Sequence, residues 1–316
     1  MAETQPVSVV GAGDMGYGFA VHFTLQGKDV TLIDVEKAVL AEARERIRGS
    51  VALLAEQGIT DRDPAAVAET IAYETDTAAG VADADVVLEA VSEDLALKRA
   101  VFEEVAAAAP ADAILASNTS GIPITEIGEA IPDAADRLAG CHWWFPPFLL
   151  TPVEVIRGTE TADGTIDRLT AFVESVDRDP IHVEKDIPGF VWNRIQAAIA
   201  RECMYLVEEG VASVEDINRA IRDGYAVRTA ATGPFETLDL AGLDLVKIGA
   251  EQRYPTLSNA DGPPDVLLDL VEAGRTGVKA GAGFFEYDRP ADEVIRERDA
   301  TVTRIQQCLG RLPDGD

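Results

Sequence analysis

The chain has 316 residues, with 56 Asp and Glu against 27 Lys and Arg, a formal charge of −29 at pH 7 and 47% hydrophobic residues. That apolar share supports buried cores and excludes wholesale disorder, and the length fits roughly two domains of about 150 residues. No basic stripe exists to neutralise phosphates, so nucleic-acid binding is all but excluded, and anionic lipid headgroups would repel so acidic a surface.

Other broad features narrow the class further. No apolar run reaches the ~18 residues of a membrane span. The start, Met1-Ala2-Glu3-Thr4-Gln5-Pro6, has no basic segment followed by an apolar run, so no signal peptide is expected. Cys141, Cys203 and Cys308 are widely spaced and odd in number, which predicts neither a disulfide framework nor a metal site. A soluble, cytoplasmic protein in a reducing compartment is the expectation. Only six of the 27 basic residues are lysine, and the acids are scattered along the chain rather than massed in a tail. Such a coat suits a high-salt cytoplasm, where screening removes self-repulsion, so a halophilic source is expected.

In chain order, an apolar run at 7–10 ends at glycine and predicts a strand. A helical period follows through Met15, Phe19, Ala20 and Phe23, then a second strand at 30–33. That unit is the size of a right-handed parallel crossover. Between the two strands lies Gly11-Ala12-Gly13-Asp14-Met15-Gly16, a complete G-x-G-x-x-G. Its glycines allow a tight turn, a close backbone approach to a pyrophosphate and close helix–strand packing, and the helix N-terminus offers free N–H groups. Asp34 follows the second strand, where a carboxylate accepts from a ribose hydroxyl and repels a 2′-phosphate, favouring NAD over NADP. S-adenosylmethionine sites also use a glycine loop and a strand-end acid, so the loop alone leaves that ligand open.

A helix is predicted over 36–57, and further strands at 86–91, 114–116, 138–141 and 153–156. Strands alternating with helices predict a mostly parallel, doubly wound α/β sheet. Near Pro188 the pattern changes to helices at 191–209, 214–222, 238–254, 266–272 and 294–308. Domains of 1–186 and 187–316 are therefore expected, the second all-α, with the break at Lys185-Asp186-Ile187-Pro188-Gly189.

Of three histidines, His22 and His182 sit in a helical and a strand-like context. His142 instead ends a strand and enters Trp143-Trp144-Phe145-Pro146-Pro147, the place where open α/β sheets bind ligands. Glu154 lies in the next strand between Val153 and Val155, an apolar setting in which a carboxylate needs a partner. A His–Glu pair makes a general base for removing a hydroxyl proton beside a hydride acceptor. On spacing alone, a satisfied strand-end histidine and a solvent-facing glutamate is an equal reading.

These pieces, with five more in order, resemble the 3-hydroxyacyl-CoA dehydrogenase family along nearly the whole chain. The others are Glu89-Ala90-Val91-Ser92-Glu93 with Lys98, Ser117-Asn118-Thr119-Ser120, Asp186 to Phe190 running into Asn193-Arg194, Gly233-Pro234-Phe235-Glu236, and Gly277 to Phe284. Methyltransferases show no such series. The resemblance implies an N-terminal Rossmann sheet followed by an all-α domain, with NAD as cofactor. It implies His142 as catalytic base, Glu154 as its orienting carboxylate, Ser120 on the substrate hydroxyl and cofactor, and Asn193 holding the substrate. Glu93 and Lys98 would line the NAD site, with Gly11, Ala12, Gly13, Asp14, Met15 and Gly16 at the pyrophosphate and Asp34 on the ribose.

There are departures. Phe145 stands where the family has asparagine, and a bulky ring there would crowd the nicotinamide end. Arg44-Glu45-Arg46-Ile47-Arg48 replaces a lysine-rich CoA-binding arm. The resemblance implies oxidation of a 3-hydroxyacyl-CoA, as in fatty-acid metabolism. The alternatives are the same chemistry on a free 3-hydroxy acid or alcohol, as in carnitine, gulonate and pyridoxine-degradation relatives, and a non-catalytic NAD-binding protein. Trp143-Trp144 forms either a substrate wall or interdomain packing. Leu238, Leu240, Leu243 and Leu245 around Gly242 point, with the family, to a homodimer through the second domain.

Overall fold

A computed structural model describes residues 5–313; the expectation of no leader segment rests largely on residues outside that range. β1 (Pro6–Val10), α1 (Asp14–Leu25) and β2 (Asp29–Ile33) form the first crossover. α2 (Lys37–Glu56) and α3 (Pro64–Thr70) lead to β3 (Ala72–Glu74), α4 (Thr77–Val81) to β4 (Val86–Glu89), and α5 (Leu95–Ala108) to β5 (Ile114–Ser117). After α6 (Ile124–Gly128) come β6 (Leu138–Trp143), β7 (Pro152–Ile156), α7 (Asp163–Ser175) and β8 (Asp179–Val183). Some of the scattered acids have local work: Asp63, Asp76 and Asp94 each accept from the amide three residues on, capping α3, α4 and α5.

The eight strands make one sheet in the order β3-β2-β1-β4-β5-β6-β7-β8. Every pairing is parallel except β6 with β7. Val7, Val9, Val86 and Leu88 belong to one apolar cluster, with Phe19, Phe23, Trp143 and Phe172. Val10, Val87 and Leu115 belong to the other, with Phe102, Ile127 and Phe190. Alternate strand residues point to opposite faces, so the two cores lie on the two sides of the sheet. The antiparallel β6–β7 pair sets Cys141 opposite Val155 and His142 opposite Glu154.

Beyond β8 the chain is helical: α8 (Trp192–Glu208), α9 (Val214–Arg219), a π-helical stretch Ala220–Tyr225, α10 (Ala226–Ala231), α11 (Pro234–Ala241), α12 (Leu243–Arg253), α13 (Asp265–Glu272) and α14 (Ala291–Cys308). The single helix expected over 238–254 is two, because Gly242 at φ +89° breaks it. Two compact units result, one of residues 194–295 and the other of the rest. Their division falls in the first turn of α8, seven residues after the expected 186/187 break, and α14 from Arg296 onward goes with the first unit. Gln306 Nε2 donates to Leu149 O (3.1 Å), Gln307 Nε2 to Gln57 O (3.1 Å), and Leu312 joins the first apolar cluster. Those anchors are mostly polar, which is why apolar periodicity gave no sign of them. No helix among the described residues is long and apolar enough to cross a membrane.

Candidate active site

The glycine loop lies where β1 meets α1, and its three glycines are needed for different reasons. Gly11 has φ +101°, and a Cβ there would stand 2.7 Å from Ala90 O. At Gly16 a Cβ would fall 1.8 Å from Gly11 O, so the third glycine is what lets α1 sit against β1. A Cβ at Gly13 meets nothing within 4 Å. Open space over the second glycine, with no side-chain cap on α1, is what a pyrophosphate cradle requires. Asp34 accepts from Ala12 N (3.0 Å) and Glu36 N (3.0 Å), tying the end of β2 to the loop. Asp14 is exposed and bonds Arg46 (2.6 Å), and Met15 packs on the first apolar cluster. The residues present thus fit an NAD phosphate and ribose site.

His142 and Glu154 form the pair that the register sets up. His142 Nδ1 lies 2.6 Å from Glu154 Oε2, with His142 5% and Glu154 0% exposed. The other carboxylate oxygen, Oε1, accepts from the amides of Val191 (2.8 Å) and Trp192 (3.0 Å) as the chain enters α8. Burial alone would raise this carboxyl; the bond to His142 and the two amides outweigh it and hold Glu154 below the usual carboxylate range. An ionised acceptor fixes the proton on Nδ1 and leaves Nε2 as the basic atom.

Ser120 sits on the loop after β5, and a glutamate holds that loop. Glu93 Oε1 accepts from Thr119 Oγ1 (2.7 Å), Ser120 N (2.9 Å), Ser120 Oγ (3.1 Å) and Gly121 N (3.1 Å). Burial pushes Glu93 up, but the Thr119 hydroxyl, the Lys98 charge and Ser120 prevail and keep its carboxyl low. Asn193 Nδ2 donates to Ser120 O (2.7 Å). On the loop's other side, Trp143 N donates to Asn118 Oδ1 (2.8 Å). The site residues therefore close a ring: Ser120 to Asn193, along the chain to the Trp192 amide, to Glu154, to His142, to Trp143, to Asn118 and back.

Lys98 is bonded more deeply than sequence alone shows. It is 1% exposed, and its Nζ is engaged by Glu89 Oε1 (2.7 Å), Glu93 Oε2 (3.3 Å) and Val91 O (3.4 Å). The amine donates to Glu89 and Val91 and pairs with Glu93, tying the end of β4 and the loop after it to α5. Glu89, quoted in the motif but given no role by sequence reading, is fully buried and also accepts from Val91 N (2.7 Å) and Ser117 Oγ (2.6 Å). Burial raises its carboxyl despite Lys98 and Ser117. A charged residue closing the apolar run Val86-Val87-Leu88 was the available signal.

The two tryptophans do not act as a pair. Trp143 is 2% exposed and makes edge contacts with Phe19, His22 and Phe23. Trp144 stacks instead on Trp192, with ring centroids 4.0 Å apart. Phe145 is 39% exposed, and the Arg298 guanidinium lies 5.2 Å from its ring centroid. Arg46 bonds Asp14 and lies 4.0 Å from the Tyr17 ring, Arg44 lies over Tyr73, and Arg48 pairs with Glu45 and Glu69. No group of three or more His, Cys, Asp or Glu side chains suited to a metal stands together among the described residues.

Residues 6–187 match the family model described as 3-hydroxyacyl-CoA dehydrogenase, NAD binding domain, and 189–287 match that of its C-terminal domain. The chain is 35% identical over 304 residues to 5-formyl-3-hydroxy-2-methylpyridine 4-carboxylate 5-dehydrogenase of Mesorhizobium japonicum, covering 96% of this chain and 97% of that one. A crystal structure of a dehydrogenase of that name, described as an NAD+-dependent dismutase, is similar with a TM-score of 0.89 and 32% identity, over 97% and 99% of the two chains. The (S)-3-hydroxybutyryl-CoA dehydrogenase of Ralstonia eutropha is similar with a TM-score of 0.72 and 30% identity, over 91% and 100%.

Proposed function

This chain belongs to the 3-hydroxyacyl-CoA dehydrogenase family, and on that premise we propose that it oxidises a 3-hydroxy group with His142 as general base. The observation that carries the reading is the buried His142–Glu154 pair, whose free Nε2 lies at the carboxyl end of β6. His142 takes the hydroxyl proton at Nε2, and the Glu154 carboxylate stabilises the imidazolium that results. Ser120, held by Glu93, and Asn193, bonded to the Ser120 carbonyl, position the substrate. Gly11, Ala12, Gly13, Asp14, Met15 and Gly16 would hold the NAD pyrophosphate, and Asp34 the ribose. NAD, when bound, supplies the hydride acceptor. A persisting base and orienting carboxylate speak against a non-catalytic NAD-binding role.

A 3-hydroxyacyl-CoA is the substrate class that the family name carries. A specific observation favours the second reading, a free hydroxy acid or alcohol. CoA phosphates would compete for Arg44, Arg46 and Arg48 with Tyr73, with Asp14 and Tyr17, and with Glu45 and Glu69, whereas a free hydroxy acid or alcohol needs none of these arginines. NADH formation from 3-hydroxybutyryl-CoA beside 3-hydroxybutyrate, carnitine and gulonate separates the two. Turnover of the thioester alone supports the first and overturns the second. No NADH from any hydroxy substrate would overturn the dehydrogenase reading.

The proposal extends to setting. The acidic coat supports a protein working at high salt, and the three free thiols support a cytoplasmic location. In the second unit Phe235 and Leu240 are 82% and 78% exposed, and Ala200, Met204, Leu270, Phe284 and Phe285 line an apolar cavity of about 590 Å³. Apolar surface on this scale supports a homodimer formed through that unit.

A further inference from the structure

The stacked indoles of Trp144 and Trp192 have no part in the reaction as described, yet they join the two segments that hold the base. Trp144 is two residues beyond His142 on the chain leaving β6. Trp192 opens α8, and its own amide is one of the two that bind Glu154 Oε1. The rings are stacked at 4.0 Å with an interplanar angle of 18°. Trp144 Nε1 is shielded from solvent and donates to no group among the described residues. Ring contact, rather than a hydrogen bond, is therefore what fixes that indole.

The segment entering α8 needs holding. Gly189 and Phe190 both have positive φ, +78° and +47°. For phenylalanine that is a costly conformation that persists only where the surroundings enforce it. Phe190 is itself buried, its ring centroid 6.0 Å from that of His142. The next two amides are free donors at a helix start, and both reach Glu154.

We infer that the Trp144–Trp192 stack is a positioning clasp for the general base. It pins the start of α8 against the end of β6, keeps the Val191 and Trp192 amides on Glu154, and so keeps the His142 imidazole in a single orientation. The inference rests on the reading of His142 as the base. Loss of the stack frees the Glu154 carboxylate to turn and the imidazole to drift, which lowers kcat. It leaves the glycine loop, on β1 and α1, undisturbed.

The test compares Trp144→Leu and Trp192→Leu with Trp144→Phe and Trp192→Phe, by steady-state kinetics and by amide hydrogen exchange of residues 191 and 192. The leucine variants are expected to lose about tenfold or more in kcat, the scale on which misplaced catalytic groups cost rate. Their KM for NAD should stay within about twofold, exchange at both amides should speed up about tenfold, and the phenylalanine variants should fall between. Wild-type protein should show an exciton couplet in circular dichroism that either phenylalanine variant abolishes. Unchanged kcat and exchange in the leucine variants would overturn the clasp. So would a change confined to substrate KM, which would make the indoles a substrate wall. Should the leucine variants fail to fold, wild-type kcat and exchange in both phenylalanine variants would overturn it as well. The exchange measurement needs no turnover, so it judges the clasp even where the base reading fails.

Discussion

His142 takes its direction from two hydrogen bonds it does not itself make. The amides on Glu154 Oε1 keep that carboxylate ionised and facing Nδ1, so that Nε2 is the atom which the proposed reading gives to the substrate. Sequence reading reached both residues of the pair because each broke a local rule, a histidine ending a strand and a glutamate among valines. Glu89 broke the same rule but lay inside a motif and went without a role. Lys98, which the resemblance matches to the NAD-site lining, also pairs with buried Glu89, a contact that sequence spacing cannot show. Glu89→Gln can keep an oxygen beside the Lys98 amine but removes the buried negative charge that offsets it. We expect it to lower stability by about 3 kcal/mol in denaturant titration, the scale for breaking a buried ion pair. A change near zero would mean that Glu93 alone satisfies Lys98. His22 gives a pH prediction. Burial, then the Arg178 charge, push its pKa well below the usual 6.5, and the imidazole stays neutral between Val176 O and Arg178. Below 6.5 the unfolded chain takes up a proton that the folded chain refuses, so stability falls as pH drops through that value. Glu93 and Glu154, also depressed, lose their contributions further into acid, below about 4.3, while Glu89 changes with the opposite sign. The melting temperature of wild type should fall between about pH 7 and pH 5, and that of His22→Gln should fall less. Equal slopes would show that His22 is not held neutral.

Among the elements, the glycine loop was the most legible, since a strand, a G-x-G-x-x-G, a helix and a strand-end acid each confirm the next. Its geometry separates two substitutions of equal size. Gly13→Ala adds a methyl that touches no protein atom, so folding should be retained while NAD affinity falls. Gly16→Ala collides with the Gly11 carbonyl, so both stability and NAD affinity should fall. Thermal denaturation and NAD titration of the two variants check this; equal melting temperatures would contradict it. Less could be read of the sheet's right-hand edge. The reversal at β7 is set by the eight residues between Trp143 and Pro152, not by strand periodicity, yet it is what sets His142 opposite Glu154. In the helical part, apolar periodicity located the helices but ran through Gly242, where only the positive φ marks the break.

At the scale of the whole molecule, charge and apolar surface make separate demands. A net charge of −29 repels itself at low ionic strength, so the folded state should need salt. Circular dichroism should show native helix content in molar KCl and its loss in dilute buffer; unchanged folding without salt would count against the high-salt proposal. Sedimentation in molar KCl should give a particle of twice the chain's mass, and a monomer would exclude the dimer. Both expectations were legible in composition and leucine content. The return of α14 to the first unit was not, because Gln306 is a polar residue buried by a specific bond to Leu149 O. The central claim is that His142, oriented by Glu154, takes the substrate proton in an NAD-dependent oxidation. It is tested most directly by NADH formation in molar KCl by wild type, His142→Asn and Glu154→Gln, each with its NAD affinity measured. Both variants should bind NAD as wild type does and lose about 10²–10⁴-fold in kcat. Wild-type rates in either variant would contradict the account.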